Sequence, residues 1–191
     1  MANELSAVVL IVTNALEALD APYFIGGSLA TALHGVARTT LDVDIVADLR
    51  LQHVDRFITL LGDSFYADAE MIRDAILHQS SFNLIHLRTM FKVDVFVGRS
   101  RPFDRAQFKR RIQYRLAGTT DSIAYVSTPE DNILAKLEWY RLGGEVSDRQ
   151  WQDITNVIKV QRERLDLPYL RRWAKNLAVA DLLERALLVL S

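Results

Sequence analysis

The chain has 191 residues, enough for one medium domain or an α/β domain with a helical appendage, and either buries a proper core. Hydrophobic residues make up 50% and charged residues 25%, with a net charge of −1, which is ordinary globular composition and gives no whole-chain argument for binding nucleic acid. There is no cysteine, so disulfides and thiolate metal sites are excluded. The opening residues lack the basic stretch of a signal peptide, and the apolar run at 8–12 is far too short to span a bilayer, so we expect a cytoplasmic protein with no membrane association.

In chain order, Leu5, Val8, Val9, Val12, Leu16 and Leu19 carry the period of an amphipathic helix over 5–19, ended by Asp20-Ala21-Pro22. Tyr23-Phe24-Ile25 then reads as a short buried strand, Gly26-Gly27 as a tight turn, and 28–33 as a helix capped by Ser28 and closed by Gly35. A β-rich alternation predicts a strand over 41–47, and helical spacing returns over 51–61. Segments 82–87 and 91–97 read as a hairpin in one mixed sheet, with 112–116 and 122–127 as edge strands. From Pro129 onward only helices are expected: 129–142, a break at Gly143-Gly144, 147–161 capped by Ser147 or Asp148, another starting at Pro168, and a last over 177–190. The fold class is thus α/β (α+β), a mixed sheet flanked by helices. Residues 1–128 form the expected sheet-bearing domain and 129–191 a helical region packed on it.

The chemistry centres on three carboxylates. Asp42 and Asp44, two apart on a strand, point to one face while Val43 and Ile45 point to the other. Two such charges about 4 Å apart repel by ~4 kcal/mol at an effective dielectric of ~20, so a half-buried strand carrying both wants a cation or a shared proton. Asp94 stands out in the same way from the apolar run 91–97. Oxygen ligands without histidine or cysteine suit Mg2+ or Mn2+. Gly26-Gly27 lets the backbone approach a ligand, and Ser28 places a hydroxyl at the mouth of the following helix, whose free amides favour an anion. Each piece has a plainer reading: the aspartates as solvated strand residues, Asp94 beside Lys92, the glycines as an ordinary turn, Arg38 as a surface arginine. His34 is expected to pack at a helix end.

Taken together, Gly26-Gly27-Ser28, Leu33-His34-Gly35, Arg38-Thr39-Thr40 and Asp42-Val43-Asp44-Ile45 resemble the signature of the polymerase-β-type nucleotidyltransferase superfamily. They are most similar to its minimal bacterial branch, related to abortive-infection (toxin-antitoxin) nucleotidyltransferases. The resemblance implies transfer of a nucleoside monophosphate from an NTP to an acceptor hydroxyl on RNA, protein or a small molecule, with release of pyrophosphate. It makes Asp42, Asp44 and Asp94 the catalytic and metal residues, with Asp94 also helping to deprotonate the acceptor. Gly26, Gly27, Ser28 and Arg38 become nucleotide-binding residues. Lys136 and Asp153 are similar to the helical elements that in such relatives supply and position a cation for the leaving phosphates. Lys136 reads equally well as an exposed helix lysine, and Trp151 as core rather than a stacking platform.

Two other functions stay open. A catalytically silent nucleotide-binding module, half of a pair with a partner protein, is one. RNA binding is the other, because residues 99–115 hold Arg99, Arg101, Arg105, Lys109, Arg110, Arg111 and Arg115 against the single acid Asp104, either a polyanion-facing surface or a solvated one.

Overall fold

A computed structural model of the chain describes residues 2–36, 42–116 and 123–190. The expected strand starts at Leu41 and Ser122 lie outside these residues. The chain divides into two compact units, one of residues 1–26 and 40–126, the other of residues 27–39 and 127–191.

The first unit opens with α1 (Ala2–Glu17), whose stripe of Val8, Val9, Val12 and Leu16 is fully buried. It packs on α3 (Val54–Leu61). The end of α1 is tied to β1 (Tyr23–Ile25) because the Tyr23 hydroxyl donates to Glu17 Oε1 at 2.7 Å. Burial and that carboxylate push the Tyr23 phenol well above its usual range. The strands β2 (Asp42–Ala47), β3 (Phe65–Tyr66), β4 (Ser81–His86), β5 (Lys92–Val97), β6 (Ile112–Arg115) and β7 (Ile123–Val126) complete a mixed seven-stranded sheet. Its order is β3-β4-β5-β2-β1-β7-β6.

β2 lies antiparallel to β1 and parallel to β5, and β4–β5 is the expected hairpin. β7 pairs parallel with β1 and antiparallel with β6, which corrects one expectation. Of the two expected edge strands β6 is an edge and β7 is interior, because its Ala124 and Val126, both fully buried, continue the apolar face of β1. Two helices had no counterpart in the sequence pattern, α4 (Ala69–His78) and α5 (Pro102–Arg110). α4 buries only Ile72 and Ala75, and α5 turns Asp104 and Gln107 inward beside Phe103, so neither has a full apolar stripe.

In the second unit, α2 (Gly27–Leu33) accompanies α6 (Pro129–Leu142), α7 (Asp148–Gln161), α8 (Leu167–Asn176) and α9 (Ala180–Leu187). Ser147, one of the two expected caps, accepts from Gln150 N, while Thr128 caps α6 by accepting from Asp131 N and Asp166 caps α8 by accepting from Tyr169 N. The last helix is shorter than the expected 177–190, since Ala178 at φ 56 makes a left-handed turn before α9 begins. α6 is buried even in its charged first turn. The Tyr169 hydroxyl donates to Asp131 Oδ1 at 2.6 Å and Asp166 N to Glu130 Oε1 at 3.0 Å, which fastens α8 to α6. No helix among the described residues is long and apolar enough to cross a membrane.

Candidate active site

In the first unit, the ladder between β2 and β5 brings the aspartates together. Their alternate residues Val43, Ile45, Val93 and Val95 are 0% exposed, and each buried aliphatic side chain stabilises the ladder by about 1.5–3 kcal/mol. A one-residue slip would turn all of them to the other face, so the register is strongly specified. In that register Asp44 stands opposite Asp94, and Asp42 opposite Lys92, all on the same face. Asp42 is exposed and Asp44 half-buried. At the ~5 Å spacing of neighbouring strands, ionised Asp44 and Asp94 repel by roughly 3 kcal/mol at an effective dielectric of ~20.

Lys92 answers part of that repulsion. Its Nζ lies 2.9 Å from Asp94 Oδ2, with side chains 44% and 17% exposed. The hydrogen bond to Asp94, with the added fields of Asp94, Asp42 and Asp44, holds the Lys92 ammonium above the usual lysine range. Among the described residues no three His, Cys, Asp or Glu side chains gather closely enough to make a metal cage. The donor chemistry still fits a hard cation, since Mg2+ usually takes only one or two carboxylates and completes its shell with water and substrate phosphates. Asp44 and Asp94 offer such a pair.

Gly26 ends β1 and its N–H donates to Asp44 O at 2.9 Å, so this amide is spent on the ladder beside the carboxylates. Among the described residues, chain neighbours aside, no atom would lie within 4 Å of a Cβ at Gly26; the requirement for glycine falls on Gly27, at φ 54. That left-handed residue turns the chain straight into α2. Ser28 is therefore the second residue of the helix rather than its cap. Arg38-Thr39-Thr40 lies outside the described residues.

In the second unit, Lys136 Nζ sits 3.0 Å from Asp153 Oδ2, with side chains 11% and 9% exposed. Lys136 is thus not an exposed helix lysine; α6 and α7 pack around it. One turn back on the same face of α6, Asn132 Nδ2 donates to Thr31 Oγ1 at 3.0 Å, and Thr31 donates to Gly27 O at 3.0 Å. This relay anchors the first residue of α2 to α6. His34, at the end of α2, is buried and donates from Nε2 to Ser127 O at 2.9 Å. Burial holds its pKa below the usual histidine value. It is a packing histidine.

Trp151 lies beside Tyr140 with centroids 5.3 Å apart and the rings tilted, under the Arg185 guanidinium at 4.0 Å, and is half-buried within its own unit. Of the basic run, Arg105, Lys109 and Arg110 lie on α5 and Arg115 on β6, with Arg99, Arg101 and Arg111 in the segments flanking α5. Arg101 is bound to Asp104 by bonds of 2.6 and 3.0 Å, and Arg111 lies 4.5 Å over the Tyr125 ring. Lys92, Thr31 and Asn132 were not among the expected site residues. Lys92 was visible as the polar residue two before Asp94 in an alternating strand, and Asn132 as the residue four before Lys136 on one helix.

The strand order, the carboxylate face and the helices define a nucleotidyltransferase fold. Among solved structures, the antibiotic-resistance factor ANT(2'')-Ia is similar at a TM-score of 0.59 and 10% identity, covering 97% of this chain and 99% of that one. An antigenic nucleotidyltransferase-like protein from Paracoccidioides brasiliensis is similar at 0.53 and 21% identity, over 93% and 91%. The lincosamide antibiotic adenylyltransferase LnuA, bound to lincomycin, scores 0.48 at 16% identity, over 81% and 96%. No family model and no curated protein matches the chain.

Proposed function

We propose that the chain is a nucleotidyltransferase that moves a nucleoside monophosphate from an NTP to an acceptor hydroxyl and releases pyrophosphate. The observation that carries this reading is the in-register pairing of Asp44 with Asp94 on adjacent parallel strands of a nucleotidyltransferase fold. Asp44 and Asp94, with Asp42 as the third carboxylate of their face, would hold Mg2+ or Mn2+, and the ion would supply charge stabilisation to the phosphoryl oxygens in an in-line displacement. Gly27 and Ser28, at the first turn of α2, present amides without intrahelical partners to the triphosphate. Gly26 contributes shape rather than a donor, and Arg38 is a further phosphate contact. Lys136, held by Asp153, supplies a cation to the leaving phosphates. The Asp94 carboxylate takes the proton of the acceptor hydroxyl as its oxygen attacks the α-phosphorus and the bond to the bridging oxygen breaks.

ANT(2'')-Ia is an antibiotic-resistance factor, so a hydroxyl on a small molecule is the first acceptor class to try. RNA and protein hydroxyls follow, the classes a toxin-antitoxin role with a partner protein would require. A cytoplasmic location fits an activity that consumes NTP. The test is pyrophosphate release from each NTP with Mg2+ and panels of these acceptors. Asp44→Asn and Asp94→Asn are expected to lower it on the order of 100-fold or more. Release that survives both substitutions would sink the assignment.

A catalytically silent nucleotide-binding module is the second reading, favoured by the Lys92 ammonium lying on Asp94. It requires NTP binding by calorimetry with no pyrophosphate release from any acceptor panel.

A further inference from the structure

The reading above leaves Lys92 without a part, yet Lys92 is placed as carefully as the aspartates. It shares their face because Val93 and Val95 are buried on the opposite one, and it stands opposite Asp42 while its ammonium reaches Asp94 Oδ2 at 2.9 Å. Four side chains on two adjacent strands therefore present three carboxylates and one ammonium. An ordinary solvent-facing lysine–carboxylate pair contributes little and concerns nothing else. Here the partner carboxylate is 17% exposed and belongs to the set that would hold a divalent cation, so two cations claim one oxygen.

We propose that Lys92 is a resident counter-cation of the carboxylate face, which keeps the aspartates together before loading and competes with the divalent ion for Asp94. It is a positioning residue that sets how tightly the ion is held. Its long stem, 44% exposed at the side chain, lets the ammonium leave Asp94 without any change in the strand. Lys92 would have to release Asp94 for a divalent ion to be held there. The inference rests on the assignment of Asp42, Asp44 and Asp94 as metal ligands.

The experiment uses the full chain and reads binding, not turnover. Mn2+ is titrated by electron paramagnetic resonance, with and without a nonhydrolysable NTP, into wild type, Lys92→Met and Lys92→Arg. Removing the charge is expected to tighten Mn2+ binding about tenfold, while arginine, which keeps the charge, stays within about twofold of wild type. In EDTA the Lys92→Met protein is expected to melt below wild type, with Mn2+ closing the gap. Lys92→Gln carries the same expectations and replaces the methionine variant if that one does not fold. Equal Mn2+ affinity in wild type and the uncharged variants overturns the competition while leaving the metal site standing. No Mn2+ binding by any of them, with or without nucleotide, overturns the metal assignment itself and the inference with it.

Discussion

Lys136 and Asp153 are both about nine-tenths buried and 3.0 Å apart, which makes each dependent on the other. Two charges removed from water recover their desolvation cost only through one another and through further hydrogen bonds. Losing one partner leaves an uncompensated charge between α6 and α7. We expect Asp153→Asn to lower stability by about 3–5 kcal/mol in urea denaturation, whereas the Lys136→Met/Asp153→Leu double variant should recover most of that loss. A single variant as stable as wild type would mean that water reaches the pair. The pairing of these two residues was expected through the family resemblance, but their burial was not legible, because α6 carries Glu130, Asp131, Asn132 and Lys136 in a pattern that reads as solvated. Their partners Asp166, Tyr169, Thr31 and Asp153 come from elements distant in sequence.

Elements whose faces are cleanly divided were read correctly. The first four residues of β2 and of β5 alternate polar and apolar, so their faces could be assigned from Asp42-Val43-Asp44-Ile45 and Lys92-Val93-Asp94-Val95 alone, although Val46 and Phe96 share the aspartate face. α4 escaped because it buries only two small or medium apolar side chains, Ile72 and Ala75, and α5 because the polar residues Asp104 and Gln107 share its inward face. Gly35 shows a local requirement that a helix-end reading catches only in part. It has φ +97, and a Cβ there would lie 2.9 Å from Val160 Cγ1 on α7. Both the left-handed backbone and the close approach demand glycine. Gly35→Ala should destabilise by about 1–3 kcal/mol, and the Gly35→Ala/Val160→Ala pair should regain the steric share but not the backbone share. If thermal melting of the single variant is unchanged, the turn after α2 is looser than its geometry.

At the scale of the molecule, the helical unit is assembled from two stretches of chain, since α2 falls in it although α2 follows β1 directly. Chain order alone puts the boundary near residue 128 and cannot reveal this, because the ties are nonlocal. Asn132 bonds Thr31, Gln161 Nε2 bonds His34 O at 2.7 Å, and His34 bonds Ser127 O. Each such bond contributes about 1 kcal/mol net, and fully buried Ala30 and Thr31 add packing. A fragment of residues 129–191 lacks every one of these ties. A chain joining residues 27–36 through a glycine-serine linker to residues 127–190 restores them. With roughly 1 kcal/mol worth 4–8 °C in a domain of this size, the linked chain should melt on the order of 10 °C above the fragment and more cooperatively. The Thr31→Val/His34→Leu form of the linked chain removes the hydrogen-bond partners at constant length and should give back much of that gain. Equal melting of fragment and linked chain would show that α2 contributes nothing to the helical unit, and the relay from Asn132 to Gly27 would then hold no part of the glycine turn in place.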